Sequence, residues 1–109
     1  MADSVVILLS NFPDAETARK AVRTLVEERH IACGNIIPGV ESIYEWKGTL
    51  ETSLEVMVVC KTTVGSAPAA QARLRALHPC EVPEILQVPV SDGWPDYLAW
   101  VAAQVSPRT

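Results

Sequence analysis

The chain has 109 residues, of which 49% are hydrophobic and 20% are charged, and its formal net charge is −4. This length fits a single domain, residues 1–109, and the composition argues against a disordered chain. The absence of a basic run argues against nucleic acid as a partner, and no apolar stretch reaches the length of about 18 residues that a membrane span requires.

The cysteines indicate the cellular compartment. Cys33, Cys60 and Cys80 are an odd number without CxxC spacing, which favours reduced thiols over a disulfide framework. The first residues show no positively charged segment of a secretory signal. We therefore expect a cytoplasmic protein.

Hydrophobic periodicity and turn residues predict the elements in chain order. An apolar strand is followed by a helix that begins after Asp14, a favourable N-cap, and Ser66 and Pro68 mark the start of the second helix. On the last helix, Trp94, Tyr97, Leu98, Val101 and Val105 form one apolar stripe. The predicted strands are 5–9, 33–46, 49–63 and 84–90, and the predicted helices are 15–29, 67–78 and 94–105. This order predicts an α+β, ferredoxin-like βαββαβ sandwich with an added C-terminal helix.

The two central strands form an unusually long hairpin around the turn Lys47-Gly48. Each arm has about 14 residues and could reach about 45 Å, whereas a compact domain of this size is about 35 Å wide. Pro38-Gly39 predicts a kink or bulge in the first arm. An overhanging ribbon is marginally stable alone, so we expect an oligomer, completed by other copies of the chain.

Aromatic residues lie near the tip of this hairpin. Tyr44 and Trp46 are expected to be buried by a neighbouring subunit, with Pro38 and Gly39 in the same interface. The alternative is an exposed aromatic tip.

The segment after the second helix is the best candidate for a binding site. His78, Cys80, Glu81 and Glu84 offer imidazole, thiol and carboxylate groups, which suit zinc or copper. The alternative is that His78 only caps the helix.

Lys61 ends an apolar strand and needs an anion if its side chain points inward. Glu84, which precedes the last strand, is the expected carboxylate. The alternative is a lysine that reaches water with its charged end. No phosphate-binding glycine motif or nucleophile elbow is present in the sequence, which argues against an enzyme.

Four segments in the same order resemble one protein family. They are residues 32–48 (ACGNIIPGVESIYEWKG), 61–63 (KTT), 78–85 (HPCEVPEI) and 97–100 (YLAW). Together they are similar to the signature of the CutA family, the divalent-cation tolerance proteins, and the likeness extends from about Val5 to Trp100.

The resemblance implies a homotrimer in which long hairpins extend the sheets of neighbouring subunits. It also implies a link to Cu²⁺ or another divalent cation, a subunit arrangement like that of the PII signalling proteins, and no catalytic activity. Copper-binding members carry a cysteine where this chain has Ser10 and a histidine where it has Leu77, so only His78 matches. Cys80 replaces the usual tyrosine, either as a soft ligand or as a packing residue.

These observations together predict a non-enzymatic cytoplasmic homotrimer that binds a metal, Cu²⁺ or another divalent cation, or a small ligand between subunits. The cleft is expected to include Lys61, Glu84, Glu81, Cys80 and Trp46, with His78 as the metal ligand. The first alternative is a structural trimer without a ligand. The second is an enzyme that uses Lys61 and Glu84 as an acid–base pair.

Overall fold

The computed structural model describes residues 3–106 of the chain. Its elements confirm the predicted order of strands and helices. The strands are β1 (Val5–Phe12), β2 (Cys33–Trp46), β3 (Thr49–Thr63) and β4 (Ile85–Pro89), and the helices are α1 (Ala15–Glu27), α2 (Ala67–Leu77) and α3 (Pro95–Val105). Within residues 3–106, none of these helices is long and apolar enough to cross a membrane.

The four strands form one antiparallel sheet in the order β2-β3-β1-β4, which confirms the α+β class and the predicted arrangement of strands. Helices α1 and α2 cover one side of it, which we call the first face. Leu8 and Phe12 of β1 and Val58 of β3 are fully buried there with Leu25 of α1 and Leu74 of α2. This packed layer is the main hydrophobic core.

Two element ends differ from the prediction in ways that affect the site. Strand β1 continues past Leu9 to Phe12. Ser10 still pairs with both β3 and β4, and the pairing with β3 extends to Phe12. Helix α2 ends at Leu77, so His78 is already in an extended conformation. Helix α1 likewise ends at Glu27, two residues before the predicted end, and Arg29 has a positive φ of 63°.

The opposite side of the sheet, which we call the second face, is only partly covered. Because side chains alternate along a strand, Val5 points away from Leu8, and it packs against Val101 and Val105 of α3. Beyond α3, apolar residues of this face stay accessible, including Ile37 at 44% and Leu86 at 54% exposure. Of the stripe predicted on α3, only part is buried, and Trp94 is 75% exposed.

The β2-β3 hairpin overhangs the sheet, as the sequence predicted. Strand β1 ends where Phe12 pairs with Val56, yet β2 and β3 continue to pair from Val40–Glu55 to Trp46–Thr49. The turn residues Lys47 and Gly48 have positive φ angles of 50° and 81°, as a tight two-residue hairpin turn requires. The overhanging part, residues 40–55, is called the ribbon below.

A bulge at Pro38-Gly39 sets which side of the ribbon each residue faces. The pairing moves from Ile37–Met57 to Val40–Glu55, so β2 contains one residue more than β3 over this step. One extra residue reverses the alternation, and Val40, Tyr44 and Trp46 therefore share the second face with Ile37. The sequence predicted this bulge correctly.

Candidate functional site

A pocket of about 400 Å³ lies at the base of the ribbon, between the hairpin and the loop that joins α2 to β4. The hairpin and β1 supply residues of the second face, and the loop supplies the remainder of the wall. The lining residues are Asn11, Tyr44, Trp46, Glu55, His78, Cys80, Glu81, Val82, Pro83 and Glu84.

The sheet register explains why distant segments meet here. Strand β4 begins opposite Ser10, near the end of β1 from which the ribbon projects. The loop before β4 must therefore pass beside the base of the ribbon. The bulge turns Tyr44 and Trp46 to the same face as Glu55, so their rings and this carboxylate share one wall.

His78 is held by three contacts within the chain. Its ring stacks on Phe12, with 4.2 Å between the ring centroids. Nε2 donates to the backbone oxygen of Asn11 at 2.7 Å, and Nδ1 accepts from the backbone N–H of Cys80 at 3.2 Å. Burial lowers the pKa of His78 below its ordinary value, and the charge of Arg75 adds to this effect, against the Asn11 hydrogen bond, which raises it.

These contacts bear on the predicted metal ligand. A neutral imidazole has one lone pair, and in His78 the backbone N–H of Cys80 already uses it. Burial is the main cause that raises the pKa of the Cys80 thiol, and the negative charge of Glu55 is a smaller one. The thiolate that would bind a metal is therefore disfavoured. Over residues 3–106, no three His, Cys, Asp or Glu side chains converge as a metal site. His78 thus occupies the C-cap position of α2, but its ring bonds β1 and the following loop rather than the carbonyl groups of the helix.

Lys61 lies away from the pocket. It pairs with Ile7 and Cys33, whereas Glu84 precedes the β4 residue opposite Ser10, about 10 Å further along the sheet. The Lys61 ammonium instead donates to the side-chain oxygen of Asn35 and lies 3.9 Å from the Cys33 sulfur. The expected ion pair between Lys61 and Glu84 is therefore wrong within one chain, and the acid–base pair of the enzyme alternative is not assembled there.

The structure brings together most of the predicted site but adds to it. Trp46, Cys80, Glu81 and Glu84 line one pocket as expected, and Tyr44, assigned by sequence to the interface, joins them. Pro38 and Gly39 form the bulge, outside the pocket lining. The sequence analysis missed Asn11 and Glu55. Glu55 could have been found by applying the bulge to the strand alternation, whereas Asn11 depends on the true end of β1.

The electrostatics of the pocket favour a cation. Three carboxylates, those of Glu55, Glu81 and Glu84, line it, and none of the lysine or arginine residues within 3–106 does. Two basic groups contact Glu81: the Lys47 Nζ lies 4.0 Å from a carboxylate oxygen at the exposed rim, and the Arg75 guanidinium donates to the backbone oxygen at 3.5 Å.

Comparison with solved structures supports the fold assignment. CutA from Xylella fastidiosa superposes with a TM-score of 0.92 at 40% identity, over 94% of this chain and 99% of that one. CutA from Archaeoglobus fulgidus, described as a periplasmic divalent cation tolerance protein, superposes with a TM-score of 0.90 at 25% identity, over 94% of this chain and 99% of that one.

Comparison of sequences gives the family. The divalent-cation tolerance protein CutA of Thermus thermophilus is 42% identical over 95 residues, which are 87% of this chain and 92% of that protein. The family model of the CutA1 divalent ion tolerance proteins matches residues 6–104. The chain is therefore a member of the CutA1 family of divalent ion tolerance proteins, as its sequence motifs indicated.

Proposed function

We propose that this protein is a non-enzymatic, cytoplasmic homotrimer that binds divalent cations in the pocket at the base of the ribbon. The observation that carries the proposal is that three carboxylates line the pocket, whereas no basic side chain from the described part of the chain lines it. Membership of a family named for divalent ion tolerance supports the same ligand class. The three free cysteines are the support for a reducing compartment.

The donor atoms define the kind of binding that we propose. Copper and zinc prefer imidazole and thiolate, but the lone pair of His78 is used and the thiol of Cys80 is held protonated. The carboxylates of Glu55, Glu81 and Glu84 line the pocket but do not converge as a three-ligand site in the described part of the chain. We therefore propose loose, exchangeable cation binding rather than a resident metal centre.

The same pocket supports a signalling role of the PII type. Its walls are the ribbon and the loop from His78 to Glu84, and both reach the exposed surface. A cation that neutralises the three carboxylates would remove the repulsion between ribbon and loop. A partner protein could recognise the resulting change in the relative position of the ribbon and the loop.

Equilibrium dialysis of the full chain with Cu²⁺, Zn²⁺ and Mn²⁺ tests the cation site. We expect Glu55→Gln and Glu84→Gln to weaken binding about tenfold each, because each removes one charge from the pocket. Glu27→Gln, an exposed carboxylate on α1, is the matched control and should bind as the wild type does. His78→Ala removes no proposed ligand but frees the loop that carries Glu81 and Glu84, so it should weaken binding less than either glutamine variant.

A structural trimer without a ligand is the second candidate. Two observations favour it. Both ring nitrogens of His78 already make hydrogen bonds, and the described part of the chain contains no cluster of three metal-binding residues. Dialysis without measurable uptake, or uptake that both glutamine variants retain, would support this candidate and overturn the cation site.

A further inference from the structure

The pocket has a second kind of wall that a bare metal ion does not use. Tyr44 and Trp46 both line it, and each is 41% exposed within one chain, so the chain's own packing leaves their ring surfaces open. A neighbouring copy that meets the ribbon on the opposite side, at Ile43, Leu50 and Leu54, would leave them open as well. Aromatic rings are neutral, but their faces have a negative electrostatic potential that attracts cations, and organic ammonium groups use this attraction most. A wall of aromatic rings beside carboxylates is thus suited to an ammonium attached to an apolar chain.

The protein already places one of its own ammonium groups at this wall. The Nζ atom of Lys47 lies 5.7 Å from the centre of the Trp46 ring and 4.0 Å from a carboxylate oxygen of Glu81. Lys47 is 72% exposed, so this contact is at the rim and can be exchanged for another. Its position shows that the ring of Trp46 and the carboxylate of Glu81 can be shared by one ammonium.

One ammonium leaves much of the negative charge in the pocket uncompensated. Among the described residues, neither Glu55 nor Glu84 has a lysine, arginine or histidine nitrogen within 4.0 Å. In addition, the side-chain oxygen of Asn11 is buried without a hydrogen-bond partner. The pocket therefore offers one buried acceptor, the Asn11 oxygen, and two carboxylates without an ion pair.

We propose that the pocket binds a short aliphatic diamine. One ammonium takes the place of Lys47 over Trp46 and beside Glu81, the methylene chain lies against the aromatic wall, and the second ammonium meets Glu55 and Glu84. A volume of about 400 Å³ is of the size that small-molecule sites have. The proposal rests on the cation pocket of the proposed function and names the class of its ligand.

Isothermal titration calorimetry of the 109-residue chain with 1,4-diaminobutane tests this assignment, with 1,4-butanediol as the uncharged control ligand. We expect saturable binding of the diamine and none of the diol. Trp46→Leu should weaken diamine binding about fivefold, because the cation–π contact is lost. Trp94→Leu, at the exposed tryptophan that precedes α3, should bind as the wild type does. Lys47→Gln should bind the diamine more tightly, because it removes the tethered competitor.

Metal binding measured on the same variants separates this inference from the proposed function. Trp46 lines the pocket but offers no metal ligand, so Trp46→Leu should weaken the diamine more than it weakens Mn²⁺ uptake. If the wild type binds Mn²⁺ but binds the diamine no better than the diol, the diamine assignment is overturned and the cation site remains. A diamine affinity that neither Trp46→Leu nor Lys47→Gln changes would also overturn the assignment. Circular dichroism verifies that each variant is folded.

Discussion

His78 connects two segments that are far apart in the sequence. Its ring stacks on Phe12, donates to the backbone oxygen of Asn11, and accepts from the N–H of Cys80. Because the ring is only 6% exposed, both hydrogen bonds are shielded from water. The residue therefore fixes the loop against the end of β1, and this contact shapes one wall of the pocket.

We predict that His78→Ala lowers the free energy of unfolding by about 2 kcal/mol, because it removes a buried ring and leaves two backbone groups without partners.

The wild type should also lose stability in acid. The pKa of His78 is lowered from 6.5, so the unfolded chain binds the proton more readily than the folded protein. This contribution is complete above about pH 6.5 and is lost as the pH falls through the lower folded pKa. Urea unfolding at pH 7.5 and pH 5 measures both effects.

The control for this prediction is the second histidine, His30, which is partly exposed at the end of α1. His30→Ala should keep the loss of stability between pH 6.5 and 5, whereas His78→Ala should lack it. An unchanged pH dependence in His78→Ala would show that another group causes it.

At the scale of elements, β2 approaches α1 closely at Gly34. A Cβ atom at this position would lie 2.6 Å from Cγ1 of Val22 and 3.4 Å from Cδ1 of Ile31. Contacts of 2.6 Å are not tolerated, and Val22 is held in the packed layer of the first face. The start of the long hairpin is thereby fixed against the helix.

We predict that Gly34→Ala destabilises the protein by about 2 kcal/mol, because the added methyl group overpacks the contact between β2 and α1. Thermal or urea unfolding measures this change. In the double variant with Val22→Ala, the space that is freed should accept the methyl group, so the two effects should not add. Strict additivity would show that the close approach is not the cause.

At the scale of the whole molecule, one chain is more elongated than a compact domain of its length. It extends 48 Å in its longest direction and has a radius of gyration of 14.5 Å, against about 13 Å for a compact domain of this length. On the ribbon, Ile43, Leu50 and Leu54 are 67%, 74% and 73% exposed. Such an apolar ribbon is expected to be covered by other copies of the chain.

We predict a trimer of ~35 kDa, three times the chain mass of 11.8 kDa, in light scattering after size exclusion. Leu50→Glu combined with Leu54→Glu should dissociate it, because the charges would have to be buried in the interface. Val26→Glu, at an apolar residue of α1 that is 40% exposed, is the control and should remain trimeric. A wild-type particle of 11.8 kDa would refute this account of the ribbon.

Several features of the fold could be predicted because they depend on local patterns. The order of elements follows from hydrophobic periodicity, the turn from Lys47-Gly48, and the bulge from Pro38-Gly39. The pocket could be predicted in part, because Cys80, Glu81 and Glu84 lie in one irregular segment. Glu55 lies on a distant strand and could be added only by applying the bulge to the strand alternation, whereas Asn11 could not be assigned because its place depends on where β1 ends.

The sequence by itself determined the family, the order of elements and the overhanging hairpin, since each follows from neighbouring residues. Only the tertiary structure decided what His78 and Lys61 do. The Asn11 oxygen that accepts from His78 lies 67 positions away, and the strand register separates Lys61 from Glu84. Which residues meet across the sheet depends on the lengths of all the strands, the position of the bulge and the register of each pairing. A local sequence pattern does not contain this information.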